Sequence, residues 1–248
     1  MPGGNWGRRQ LLISSLSFLA IGASHAAAAG FDSSQWSAGW NHMPPQVQPG
    51  GWTFFSPEEA AMIAAFADRL IPADDLSPSG SQAGVAVYID RQLSGPFGQD
   101  IGLYMQPPFA DGLPGQGPQS PLTPAQRYRK TLAAIDQYCK NGNLGKGFAD
   151  LDGAAQDKII TAMEAGTLAL PGVNSKAFFQ MLWQNTKEGF FADPIYGGNV
   201  NMVGWKMIGF PGARYDYRDW IDRHNEPFPL PPVGLADHPD WTPPPTQS

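Results

Sequence analysis

Hydrophobic positions recur at helical spacing in five stretches of this chain and lose that spacing between them. Ser56 is a natural N-cap, Pro57 suits the first helical position and Glu59 completes a capping box. Ile63, Phe66, Ala67 and Leu70 then share one face, and Pro72 stops the run, which predicts a first helix. A second is expected over Gln82–Leu93, with Val85, Tyr88, Ile89 and Leu93 as its stripe. Thr123, Pro124 and Gln126 repeat the start signal ahead of Tyr128, Leu132, Ile135 and Cys139. A fourth helix follows Asp152, carries Ile159, Ile160 and Met163, and ends at Gly166. A fifth begins at Asn174 or Ser175 and shows Phe178, Phe179, Leu182 and Trp183, with the period lost after Thr186.

No stretch reads as a convincing strand, so the expected fold is mostly α: about five helices joined by long, ordered loops rich in Gly, Pro and aromatic residues. The expected organisation is a leader over 1–29, an extended arm over 30–53, one helical domain over 54–226 and a Pro-rich tail over 227–248. Eight prolines in the 22 residues of that tail predict an extended, polyproline-like or disordered end. Gly95–Pro121 is too rich in Gly and Pro for regular structure. A second irregular stretch, Gly189–Tyr217, is unusual in setting many large rings on a pliable backbone.

Composition sharpens this picture. The 29 glycines and 25 prolines are well above ordinary usage, while 14 Phe and 8 Trp argue against disorder throughout. Residues 1–29 have paired arginines, Arg8 and Arg9, then an apolar run over Leu11–Ala23 and small residues. This is the layout of an export signal, with cleavage expected after Ala26 or Ala28. The arginine pair followed by Gln10-Leu11-Leu12 resembles the twin-arginine type, from which Gly7 and Ile13 depart, and the other reading is an ordinary Sec signal with two basic residues. The apolar run is too short to span a membrane. Taking the two leader arginines from the net charge of −6 leaves −8. Such a balance argues against nucleic-acid binding, which needs clustered Lys and Arg.

Familiar catalytic constellations are missing. The sequence holds no CxxC, HExxH, GxxxxGK[ST], GxSxG or GxGxxG. One cysteine excludes a thiolate cluster built by this chain alone. Beyond the leader, His42, His224 and His238 all fall in the arm or near the tail. Asp68, Asp74, Asp75 and Asp90 could be read as paired acids, but turn and helix-end chemistry explains them better. Asp193 reads as an Asx-type turn before Pro194. Arg214, among Tyr215 and Tyr217, suits stacking or a carboxylate partner. Rings and Arg on a long loop are what interfaces use as anchors, and long loops are usually functional. The expected partner surface is therefore Phe190, Phe191, Tyr196, Trp205, Phe210, Arg214, Tyr215 and Tyr217. The other reading is a loop that folds back over this chain's own core.

The stretch "GFFADPIYGGNVNMVGWKMIGFPGARYDYRD" closely resembles the signature of the gluconate 2-dehydrogenase subunit 3 family. Gly189, Phe190, Asp193, Pro194, Tyr196, Gly197, Gly198, Asn199, Gly204, Trp205, Ile208, Gly209, Phe210, Pro211 and Gly212 carry the match. A second block, "FFSPEEAAMIAAFADRLIPADDLSPSGSQAGVAVYIDRQL", resembles the family's amino-terminal part at Glu58, Asp68, Pro72, Asp74, Asp75, Ile89 and Asp90.

The resemblance implies a non-catalytic small subunit of a membrane-associated, flavin-dependent dehydrogenase acting on gluconate, glucose, fructose or sorbitol. FAD would sit in the large subunit and haem c in a multihaem cytochrome c third subunit, with no cofactor in this chain. The small subunit would support folding, export and assembly of its partner, and Arg8 and Arg9 would direct a folded pair to the periplasm, at the inner membrane through the complex. Cys139 lies on an apolar helix face, so it is a buried thiol by default; an inter-chain disulfide follows if that face meets the large subunit. The competing readings are a free-standing periplasmic carbohydrate-binding protein or enzyme, and a chaperone that leaves after export.

Overall fold

A computed structural model describes residues 47, 50–110, 112–113, 116, 120–141, 144–214 and 217–237, all within one unit over 43–248. The leader, most of the arm and the end of the tail, with Arg8, Arg9 and Tyr215, lie outside the described residues. Among the described residues there are six α-helices and no β-strand. They are α1 (Pro57–Leu70), α2 (Val85–Ser94), α3 (Pro124–Asn141), α4 (Gly153–Ala165), α5 (Ser175–Phe191) and α6 (Val203–Ile208). The mostly α fold expected from the spacing is the fold observed, with one more helix.

The helix starts are made by the capping chemistry the sequence advertises. The Ser56 hydroxyl accepts the Glu59 N–H at 3.2 Å while the Glu59 carboxylate accepts the Ser56 N–H at 2.8 Å. Thr123 and Gln126 make the same reciprocal pair ahead of α3. Asp152 and Asn174 cap α4 and α5 through the N–H groups of Ala155 and Ala177, and Gly166, in the left-handed region, ends α4.

Helix α5 is the axis of the fold and touches each of the other five. Around it, Ile63, Phe66, Ile89, Leu93, Tyr128, Leu132, Ile135, Met163 and Leu182 close a continuous core. Phe66 stacks on Phe148 at 4.0 Å, and Tyr128 meets Phe178 edge-on at 5.1 Å. Each such side chain contributes about 1.5–3 kcal/mol by leaving water. Arg69 clasps Asp157 with two hydrogen bonds of 2.7 and 2.6 Å, tying α1 to α4.

Two boundaries differ from the sequence expectation. Helix α2 starts at Val85 rather than Gln82, because Gln82 instead accepts the Ser79 N–H in the preceding turn. Helix α5 runs on to Phe191 rather than fading after Thr186. Its buried face continues through Asn185, Thr186 and Gly189, which hydropathy does not register. Asn185 donates to the Tyr128 hydroxyl at 2.9 Å and Thr186 donates to the Leu182 carbonyl at 2.8 Å, so the polar groups are satisfied inside the core.

Candidate partner-docking surface

After α5 the chain makes a wrap that is ordered turn by turn. Asp193 accepts the Ile195 N–H at 3.0 Å, as an Asx turn should, and launches a 3-10 turn over Pro194–Tyr196. The backbone then lies directly on α5: a Cβ at Gly198 would stand 2.1 Å from the Gly189 carbonyl oxygen, so only glycine fits. Asn199 is fully buried in the left-handed region. Its N–H donates to the Gly189 carbonyl, its side-chain amide donates to the Ala192 carbonyl at 2.9 Å, and its side-chain oxygen accepts the Gly204 N–H at 2.8 Å. One amide thus joins the end of α5 to the start of α6.

Helix α6 is short and divides its residues sharply. Trp205 faces inward, 6% exposed, with its indole N–H donated to the Phe191 carbonyl at 2.7 Å. Phe210 packs edge-on to that indole at 5.2 Å, and its N–H donates to the Trp205 carbonyl at 2.9 Å. Met207, Ile208 and Phe210 turn outward, 38%, 59% and 42% exposed, beside the exposed Lys206 and Gly209. The outcome is a small apolar shelf bolted to a buried tryptophan.

The carboxyl-terminal part returns to brace the wrap. Ala213 donates to the Val233 carbonyl at 2.7 Å, and Asp193 accepts the Leu235 N–H at 2.8 Å. Arg214 donates to the Pro231 carbonyl at 2.8 Å and lies over the Phe228 ring at 5.4 Å. Tyr217 donates to the Gly212 carbonyl at 2.9 Å and joins Trp220 around Phe228. Residues 228–235 are therefore part of the fold, beyond the boundary expected at 226.

The expected interface residues separate accordingly. Phe190 is 1% exposed and Trp205 nearly as hidden, so both are core residues of this chain, because α5 carries the first inward and the indole hydrogen bond fixes the second. Phe191, Tyr196, Arg214 and Tyr217 are half-buried, and Arg214 takes the stacking role. Phe210 alone among those that are described stands out into solvent. Met207 and Ile208 join it on the shelf. No helical period marks them, since Ile208 stands three residues after the buried Trp205 and still faces outward. A second exposed apolar group, Ile101, Leu103, Tyr104 and Leu113, rises from the loop after α2.

Cys139 is a free thiol with no exposed surface, and burial pushes its pKa up to about 11. Another chain's thiol has no access to it here. Asp90 is likewise fully buried and accepts the N–H groups of Thr53, Phe54 and Phe55 at 2.8–2.9 Å and the Thr53 hydroxyl at 2.6 Å. Burial alone would raise its pKa, but those hydrogen bonds outweigh burial and hold the carboxyl below its usual range. With Arg91, which also donates to the Gly51 carbonyl, it pins residues 51–55 to α2. Asp68 accepts from Ser81, and Asp74 makes an Asx turn with Leu76 and Ser77. Among the described residues no three His, Cys, Asp or Glu side chains gather as a metal site, and no helix is long and apolar enough to cross a membrane.

Neither a curated protein nor a solved structure matches the chain. Residues 57–212, more than half of it and spanning α1 to the end of the wrap, match the family described as gluconate 2-dehydrogenase subunit 3. The chain belongs to the gluconate 2-dehydrogenase subunit 3 family.

Proposed function

We propose that this protein is the non-catalytic accessory subunit of a membrane-associated, FAD-dependent dehydrogenase of the gluconate, glucose, fructose or sorbitol type. Its large, FAD-bearing partner docks on the shelf of Met207, Ile208 and Phe210. The observation that carries this reading is the shelf itself: three apolar side chains held in water by a buried Trp205, on a chain whose family is a dehydrogenase subunit. Apolar residues fixed on a rigid support lose little entropy on binding, which suits them as anchors.

In this reading the chain holds no cofactor. FAD belongs to the large subunit and haem c to a cytochrome subunit that carries the electrons onward. The leader with Arg8 and Arg9 takes the folded pair to the periplasm, where the complex rests at the inner membrane. A permanent subunit rather than a departing chaperone is favoured by the bracing of the wrap from 228–235, which keeps the shelf in one shape. The carbohydrate-site alternative is weakened by geometry. Of the rings it would use for stacking on a sugar, Trp205 faces inward and Tyr196 is half-buried.

The test is affinity capture of the tagged full-length chain from membranes of its host, with a visible spectrum of the eluate. A larger polypeptide with a flavin spectrum is expected, with haem bands if the cytochrome subunit is present. A colourless chain recovered alone would refute the subunit reading.

A further inference from the structure

A cleft of about 290 Å³ lies between the first turns of α3 and α5. Its polar lining includes Arg127, Lys130 and Asn174, and its apolar wall is Leu122, Val173 and Phe178. Among the described residues no Asp or Glu lines it. The contrast with the larger cleft between α1 and α3, about 490 Å³, is informative. There Arg129 is paired with Glu59 and Lys140 with Asp136, so its charges are largely answered from within the chain.

Arg127 has no such answer. Its Nε is buried without a hydrogen-bond partner, and it forms no ion pair among the described residues. Burial pulls its pKa below the usual guanidinium range, and Asp100 offsets this only from beyond ion-pair distance. Lys130 reaches across Gly172, where an added Cβ would meet its Nζ at 3.3 Å; a glycine there leaves room for the ammonium. Neither α3 nor α5 carries an acid in its first turn to offset the positive end of the helix. A half-buried guanidinium beside an ammonium, with Asp100 acting only from a distance and no carboxylate paired to either among the described residues, is a costly arrangement unless something else supplies the negative charge.

We propose that this cleft binds a small organic carboxylate, with the carboxylate on Arg127 and Lys130 and the carbon body against Leu122, Val173 and Phe178. The apolar wall selects against a bare, strongly hydrated anion such as phosphate, and the guanidinium fork suits a planar carboxylate. A ring or branched chain of modest size fits the volume. The site lies on α3 and α5, away from α6, and does not depend on the docking reading.

Benzoate is the probe, titrated into the purified full-length protein by calorimetry, with benzyl alcohol and inorganic phosphate as controls. Saturable 1:1 binding of benzoate is expected, weakening as salt rises, with neither control matching it. Arg127→Met, which keeps the stem and removes the charge, should weaken binding at least ~10-fold, and Lys130→Met ~3-fold. Because Lys130 is exposed, its variant retains the fold even if the Arg127 variant proves unstable. Benzoate binding that is absent, matched by benzyl alcohol or phosphate, or unchanged in Lys130→Met would overturn the proposal.

Discussion

Asn199 shows how one residue can decide whether the wrap exists. It sits at positive φ, is wholly buried, and answers both the Ala192 carbonyl and the Gly204 N–H. Asn199→Ala leaves a buried N–H and a part-buried carbonyl without this partner, so stability should fall by about 2–4 kcal/mol, read from the shift in a urea midpoint. An unchanged midpoint would mean that the wrap is held elsewhere. Asp90 makes a pH-dependent case. Its folded pKa is depressed, so its contribution is present above the unfolded value of about 4 and is lost as pH falls through the folded one. Asp90→Asn should cost about 2–3 kcal/mol at neutral pH. It should also make stability less sensitive to acid than the wild type, as thermal melts between neutral and strongly acidic pH would record. A variant with the parent's acid sensitivity would place that sensitivity in other carboxylates.

At the scale of elements, four of the six helices were legible because each announces its start locally. Ser56 with Glu59, Thr123 with Gln126, Asp152 and Asn174 all cap where the spacing places them. What escaped is equally specific. The last turn of α5 hides its period because its buried face is Asn185, Thr186 and Gly189, which become core only through the Tyr128 hydroxyl and the Leu182 carbonyl. The wrap hides for another reason. Its turns rest on positive φ at Asn199, Asn201 and Met202 and on the contact of Gly198 with α5, none of which leaves a hydrophobic period. So a resemblance could mark the stretch, while its residues could not say which rings face inward. Asn185 and Tyr128 offer a direct check on the hidden turn. A double-mutant cycle of Asn185→Ala and Tyr128→Phe should give a coupling of about 1 kcal/mol, and zero coupling would remove their hydrogen bond from the account.

At the scale of the whole molecule, the signature stretch does two jobs with different residues. Glycines, Asn199, Phe190 and Trp205 fold it onto α5, and Met207, Ile208 and Phe210 present what remains. The segment over 228–235 then locks the far side through Val233 and Leu235, in a stretch that composition marked as extended, polyproline-like or disordered. Removing 227–248 should therefore lower the melting temperature and raise proteolysis around 209–217, whereas a merely appended tail would leave both unchanged.

The most direct test of the central claim is Ile208→Asp within the tagged full-length chain, made in its host and captured from membranes. Ile208 is well exposed and holds no core contact that the wrap needs, so the variant should melt as the wild type does. The flavin-bearing partner should be lost from the eluate, or dissociate far faster, corresponding to ~1–4 kcal/mol for an interface anchor. A folded Ile208→Asp chain that brings down the same yellow partner in the same amount would contradict docking through this shelf.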